Sequence, residues 1–174
     1  QARERGARIY CEVLGYGMTG DAHHITEPDP SGDAPARAIR MALEDAGVSP
    51  DRVDYVNAHA TSTPVGDPSE IRSLKLALGE EAAARAMISS TKSMHGHCLG
   101  AAGGVEGALT ALAITEGMVP PTINLDELDP ACAGMDHVAN AAREAEVRVA
   151  VSTAFGFGGH NAVLVLGRLE EPSE

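Results

Sequence analysis

Ser90-Thr91-Lys92-Ser93-Met94-His95-Gly96-His97-Cys98-Leu99-Gly100-Ala101-Ala102-Gly103-Gly104-Val105-Glu106 is the stretch around which the rest of the chain is arranged. It opens as a polar turn carrying Lys92, His95 and His97. It then runs into small and apolar residues, among which Glu106 is the only acid before Glu116. A helix that is apolar all round is buried on every side. The pattern therefore predicts a buried helix from this turn to about Gly117, with Gly and Ala letting neighbouring backbone come close. A helix N-terminus supplies orphan N–H donors and a positive dipole end. An imidazole held there is pushed toward its neutral form, which still donates one hydrogen bond. The same composition also fits an ordinary Gly/Ala helix with a solvated histidine at its start, and this stretch alone leaves both readings open.

Working toward the N-terminus, Met87-Ile88-Ser89-Ser90 reads as a short strand that delivers the turn. Glu80 to Arg85 reads as a charged connector. Asp67, Ser69 and Glu70 start a helix through Ile71, Leu74, Leu76 and Leu78 that Gly79 ends. Val53 to Ala58 is a short buried strand, followed by the hydroxyl-rich loop His59-Ala60-Thr61-Ser62-Thr63-Pro64-Val65-Gly66-Asp67. In open α/β sheets ligands gather just beyond the carboxyl ends of strands, and His59 is the first residue past that end. Asp33 is placed to cap a helix running to about Ala46, with Gly47 at C′. Ile9 to Gly17 is rich in strand formers, and Thr19 to Gly32 is a Pro/Gly loop. The adjacent His23 and His24 in that loop point different ways and have no third ligand nearby, so they are read as plain loop rather than metal site.

Toward the C-terminus, Pro120 and Pro121 exclude helix and make Val119 to Asn124 extended. Leu125 to Ala133 is an acidic loop, and His137 to Asn140 a short extended piece. Val147 to Ala154 and Asn161 to Leu169 are strands expected to pair antiparallel. Between them lies Phe155-Gly156-Phe157-Gly158-Gly159-His160, which holds both phenylalanines of the chain. Its glycines permit close approach by a ligand. The aromatics either line an apolar pocket or tuck into local core. No repeat or low-complexity linker divides the chain, so residues 1–174 are read as one α/β domain.

Bulk properties narrow the function classes. At 174 residues and 44% apolar content the chain supports a real core. A formal net charge of −12 argues against a nucleic-acid partner, which needs a basic face. Three scattered cysteines, Cys11, Cys98 and Cys132, form neither a disulfide framework nor a zinc pattern, and the simple expectation is a reducing cytoplasmic setting. No apolar run is long enough to span a membrane. The chain begins at Gln1 without a Met, which is expected of a processed product or a piece of something longer.

Three loops at strand ends now stand out: the His59 loop, the Lys92–His97 turn and the Phe155 loop. In a layered α/β domain such ends converge on one pocket. Two neutral imidazoles there can donate to a carbonyl oxygen that is becoming an enolate. Lys92 adds positive charge, and a buried Glu106 needs a partner, for which Lys92 is the natural choice.

Asn57-Ala58-His59-Ala60-Thr61-Ser62-Thr63-Pro64-Val65-Gly66-Asp67, Ser90 to His97, and Phe155-Gly156-Phe157-Gly158-Gly159-His160-Asn161 resemble three C-terminal signatures of the β-ketoacyl-acyl-carrier-protein synthases. Pro120-Pro121-Thr122-Ile123-Asn124 resembles that family too, and the likeness is greatest to its type II elongating condensing enzymes. The resemblance implies the C-terminal half of a thiolase-like fold, a five-stranded mixed sheet with helices on both faces. It implies a decarboxylative Claisen condensation, in which His59 and His97 bind the malonyl thioester carbonyl. Lys92 and Glu106 match the family's lysine and its buried partner. Thr61 and Thr63 match residues contacting the phosphopantetheine arm of acyl carrier protein. The Phe155 backbone N–H matches an oxyanion-hole donor, Phe157 matches the gating aromatic beside the acyl pocket, and Gly158 is taken as substrate-binding with it. No stored cofactor and no metal are implied. The implied partners are the N-terminal half of the same enzyme, acyl carrier protein and a second copy in a homodimer.

Departures from the pattern are Ala60 for a usual Gly, His95 for Thr or Ala, and His160 for a frequent Thr. The nucleophilic cysteine belongs to the absent half. Cys98 lies near a helix start, where the dipole lowers a thiol's pKa. It stands where the family tolerates apolar residues, so it is not read as that nucleophile. A ketosynthase of polyketide synthesis and a catalytically silent half domain remain as alternatives.

Overall fold

The computed structural model describes residues 1–170. Strand β1 (Glu12–Gly20) leads through the Pro/Gly loop to α1 (Asp33–Ala46), then β2 (Tyr55–Asn57), α2 (Gly66–Leu78), α3 (Glu80–Arg85) and β3 (Met87–Ser89). The stretch from Ser90 onward forms α4 (Lys92–His95) and α5 (Ala102–Glu116). Short strands β4 (Met118–Val119), β5 (Asp136–His137) and β6 (Arg143–Glu144) precede the long hairpin of β7 (Val149–Gly156) and β8 (His160–Gly167).

The main sheet has the order β1-β8-β7-β2-β3-β5. Strands β7, β2, β3 and β5 run parallel, and β8 alone runs against them, pairing antiparallel with β7 on one side and with β1 on the other, so the sheet is mixed. Its first five strands are those expected. The sixth is the two-residue edge piece β5, and β4 pairs with β6 in a separate ribbon. Strands β2, β3 and β7 read as apolar runs because both of their faces are covered, whereas β1 alternates and leaves Tyr16 and Met18 exposed. Helices α1, α2 and α3 bury Ile39, Leu74 and Ala83 against one face. On the other, Ala113 and Ile114 of α5 pack with Tyr55, Ala150 and Leu166. Among the described residues no helix is long and apolar enough to cross a membrane.

The contact of β1 with α1 rests on two absent side chains. A Cβ on Gly15 would stand 2.3 Å from the Ala42 carbonyl oxygen, and one on Gly17 would stand 2.0 Å from that of Ala38. Both obstacles are backbone, so no rotamer change relieves them. Gly17→Ala is therefore expected to lower stability by about 1–3 kcal/mol, as overpacking does, measured as a shifted midpoint in urea unfolding.

Three local expectations need correction. Asp33 does not cap α1: Gly32, at φ 70, occupies the N-cap with no side-chain cap bond. Asp33 is already helical and pairs with Arg37 at 2.6 Å. Gly47 ends α1 in the left-handed conformation as expected, donating to Glu44 and Leu43. Glu80 to Arg85 is helix rather than connector, because Ala82 and Ala83 bury against the core while the charges face water.

The third correction concerns the opening stretch. It is not one helix. Gly96, at φ 75, ends α4, and a 3₁₀ turn at Leu99–Ala101 precedes α5. His97 and Cys98 thus lie in the break, not in a helical first turn. Nor is α5 buried all round. Its buried stripe is Ala102, Glu106, Thr110, Ala113 and Ile114, while Gly104, Ala108 and Leu112 are exposed. The helix thus buries the polar Glu106 and Thr110 beside Ala102, Ala113 and Ile114, and leaves small and apolar residues on its open face.

Candidate active site

Strand β2 ends at Asn57, and two residues on stands His59. The loop is held from below by a group the sequence reading did not single out. Glu70 of α2 is buried and accepts from His59 N–H at 2.9 Å and Ala60 N–H at 2.7 Å. It also accepts from the Thr153 hydroxyl of β7 at 2.6 Å. Burial pushes the Glu70 carboxyl above its usual range, and the three donors oppose that shift. One carboxylate thereby ties together the ends of β2 and β7 and the start of α2. The only signal in the sequence was an acid directly before Ile71, among positions otherwise suited to a helix's buried side.

The His59 ring is edge-on to His97, with centroids 5.6 Å apart and an interplanar angle of 85°. It lies 5.8 Å from the Phe155 ring. Burial, then the charge of Lys92, then His97, push the His59 pKa down from 6.5 to about 3. The ring is neutral at neutral pH. Its Nδ1 is buried without a protein hydrogen-bond partner.

His97 Nδ1 sits 3.2 Å from the Leu99 N–H and accepts from it. Its proton is therefore on Nε2, so the ring is a fixed donor on that side. Leu99 makes this bond from φ 51, a left-handed conformation uncommon for Leu. His95 belongs elsewhere: its ring contacts Gly96 O at 2.7 Å and Thr91 Oγ1 at 3.2 Å.

Lys92 Nζ donates to Glu106 Oε1 in a pair that is 5% and 0% exposed. Asn57 braces the helix beneath, donating to the Glu106 carbonyl at 3.2 Å and Thr110 Oγ1 at 3.1 Å. Thr91 in turn donates to Asn57 Oδ1 at 3.3 Å. The two phenylalanines have different environments. Phe155 packs toward the core beside His59, and Phe157 is 75% exposed. Gly158, at φ 82, donates to Ile25 O at 2.8 Å, so this loop rests on the Pro/Gly loop. His24 in that loop accepts from the Thr26 and Glu27 amides and closes a turn. All three cysteines are free. Cys132 is buried with its thiol pushed up to about 11, mainly by burial. Cys98 is exposed, 3.8 Å from His95 Nδ1.

His59, Thr61, Thr63, His97, Phe155, Phe157 and Gly66 border one cleft of about 670 Å³. Lys92 and Glu106 do not line it; Lys92 lines a neighbouring cavity that shares His97 and Thr61 with this cleft. The cleft offers two imidazoles at its floor, one of them locked as a donor, and an apolar wall. It can bind a thioester-sized group and stabilise negative charge developing on oxygen.

The family model of the β-ketoacyl synthase C-terminal domain matches residues 10–126, and the chain belongs to that family. It is 51% identical over 169 residues to 3-oxoacyl-[acyl-carrier-protein] synthase 2 of Staphylococcus aureus (strain COL), covering 97% of this chain and 40% of that protein. The namesake from Coxiella burnetii is 49% identical over 168 residues, with the same coverage of each. This chain thus spans about two-fifths of the length of these relatives. Among solved structures, a type II polyketide ketosynthase in complex with its acyl-carrier protein and bound to the hexaketide superposes with a TM-score of 0.93 at 39% identity, covering 97% of this chain and 41% of the other. A β-ketoacyl synthase from Burkholderia phymatum gives 0.89 at 41% identity, covering 97% and 40%. The fold is therefore the C-terminal part of a thiolase-like ketosynthase fold.

Proposed function

We propose that the chain is the C-terminal portion of a 3-oxoacyl-acyl-carrier-protein synthase II. Such an enzyme condenses malonyl-acyl carrier protein with an enzyme-bound acyl group during fatty-acid elongation. The observation that carries this reading is the neutral His59 packed against a His97 whose tautomer is fixed by Leu99. Their N–H groups hold the malonyl thioester oxygen. The bond to the carboxyl carbon breaks, CO₂ leaves, and the electron pair forms an enolate whose oxygen both imidazoles stabilise. The α-carbon then attacks the acyl thioester, and the Phe155 backbone N–H stabilises the oxyanion that forms there. Lys92, matched by Glu106, keeps positive charge below the site. Thr61 and Thr63 line the path of the phosphopantetheine arm, and Phe157 with Gly158 gates the acyl pocket.

The acyl-accepting cysteine comes from an N-terminal half, which covers the exposed Gly104, Ala108 and Leu112 of α5. Tyr16 and Met18 are exposed on the same side of the sheet, because Gly15 and Gly17 point toward α1. The other partners are acyl carrier protein and a second copy in a homodimer. The setting is cytoplasmic, no cofactor is stored, and residues 1–174 act as one C-terminal domain. A type II polyketide ketosynthase at 39% identity among the structural relatives gives the second reading its support.

The test uses the full-length protein with a medium-chain acyl-acyl carrier protein and malonyl-acyl carrier protein. Mass spectrometry is expected to find the acyl group on a cysteine outside residues 1–174, and a product longer by one two-carbon unit. An acyl adduct on Cys98 would refute the assignment. A poly-ketone product would replace the fatty-acid reading with the polyketide one.

A further inference from the structure

Two cavities meet at His97. The front one is the cleft of the candidate site, bordered by His59, Thr63, Phe155 and Phe157. The second, of about 460 Å³, has Lys92 and Ser90 on its inner wall. Thr61 and His97 border both. The outer end of the second is formed by Glu127, Leu128 and Asp129, exposed residues of the loop after Asn124. It therefore connects the floor of the site to the surface by a route that does not pass Phe157.

On the proposed function, which this inference rests on, decarboxylation occurs with the front cleft filled by thioester and arm. The carboxylate gives up its charge to the enolate as the carbon–carbon bond breaks. It becomes a neutral CO₂ that must leave before it recombines. We propose that the second cavity is the exit for this CO₂, leading from His97 and Lys92 past Leu128 to solvent. Its walls suit a small neutral molecule: Ile71, Ile88, Ile123 and Leu125 give it apolar surface. The Lys92 charge is matched by Glu106, so the inner wall holds no unmatched cation to trap an anion. Glu127 and Asp129 at the mouth repel bicarbonate, so the hydrated product does not re-enter. Release is thereby separated from the arm's entry, and the enolate meets the acyl group with no CO₂ competing for it.

The test is Leu128→Trp in the full-length enzyme, which narrows the mouth at an exposed loop position. Malonyl decarboxylation is expected to slow about fivefold or more, with acyl loading and the KM for malonyl-acyl carrier protein unchanged. The ¹³C isotope effect on the carboxyl carbon is expected to fall toward unity, because trapped CO₂ returns to the enolate and bond breaking becomes reversible. Leu128→Ala should leave both at the unmodified values. CO₂-pressurised crystals of the unmodified enzyme should show CO₂ between Lys92 and Leu128. Unchanged turnover in Leu128→Trp overturns the proposal. So does slowed turnover with an undiminished isotope effect, since bond breaking itself would then be slowed. So do pressurised crystals without CO₂ in the cavity. An unmodified enzyme that loads acyl groups but never decarboxylates the malonyl thioester would overturn the proposed function, and the exit route with it.

Discussion

Replacing His97 with alanine in the full-length enzyme is expected to lower malonyl decarboxylation about 10²–10³-fold, the usual cost of one preorganised oxyanion donor. Acyl loading from acyl carrier protein should survive. The argument is geometric. The Leu99 N–H holds Nδ1, so the proton on Nε2 needs no reorganisation when charge develops on the substrate oxygen. His97→Asn keeps an N–H on a shorter side chain and should recover part of the loss, whereas His97→Phe should not. His59→Ala should cost a similar factor. Its pKa near 3 adds a pH signature. Protonation of His59 does not limit the rate between pH 5 and 8, so that window should lack a descending acid limb from this residue. The linked stability runs the other way. In the unfolded chain the ring titrates near 6.5 and in the folded one near 3, so the unfolded state binds the extra proton between them. Stability is fully present above 6.5 and declines as pH falls through that interval; His59→Phe should flatten the decline in urea unfolding at pH 4 to 7. Full decarboxylation in either alanine variant would refute the enolate role.

What the sequence revealed and what it hid follow from range. His59, Lys92 and Phe155 were legible because each sits at or within three residues of a strand end, and a strand of three to eight residues declares itself locally; His97 was legible from the polar turn it shares with Lys92. Gly47 was legible because a left-handed C-cap has a local cost that Gly removes. Glu70 was not. Its role depends on amides 10 and 11 residues back and a hydroxyl 83 residues ahead, and no local pattern encodes that. The break at Gly96 was missed for a related reason. Composition favours helix on both sides, and only the demand that His97 face His59 makes the interruption necessary. The facing of α5 was hidden most completely. A helix of Gly, Ala and Leu has almost no amphipathic signal. Which side is buried was settled by the needs of Glu106 and Thr110, which must reach Lys92 and Asn57.

Lys92→Ala is expected to destabilise the protein by about 3–5 kcal/mol, because it leaves the Glu106 carboxylate buried and uncompensated. Glu106 is fully buried, and its Oε2 has no hydrogen-bond partner even with Lys92 present. Removing Lys92 therefore strips the carboxylate of its one side-chain donor. Glu106→Ala should cost a comparable amount by stranding the ammonium. The double variant Lys92→Met with Glu106→Leu is the informative one. It removes both charges and keeps apolar volume, so its stability should return to within about 1–2 kcal/mol of the unmodified protein. A strongly positive coupling in the double-mutant cycle is thus expected from urea unfolding. Activity should not follow stability. Burial, the largest influence holding His59 neutral, remains, but the next largest, the Lys92 charge, is gone, so its pKa rises above about 3. The double variant should fold well, decarboxylate poorly, and show an acid limb that the unmodified enzyme lacks. Recovery of full activity together with stability would mean that the pair serves packing alone. Additive losses would mean that the two side chains do not act as a pair. A stable, slow and newly acid-sensitive enzyme would show that the buried ion pair tunes the histidine above it.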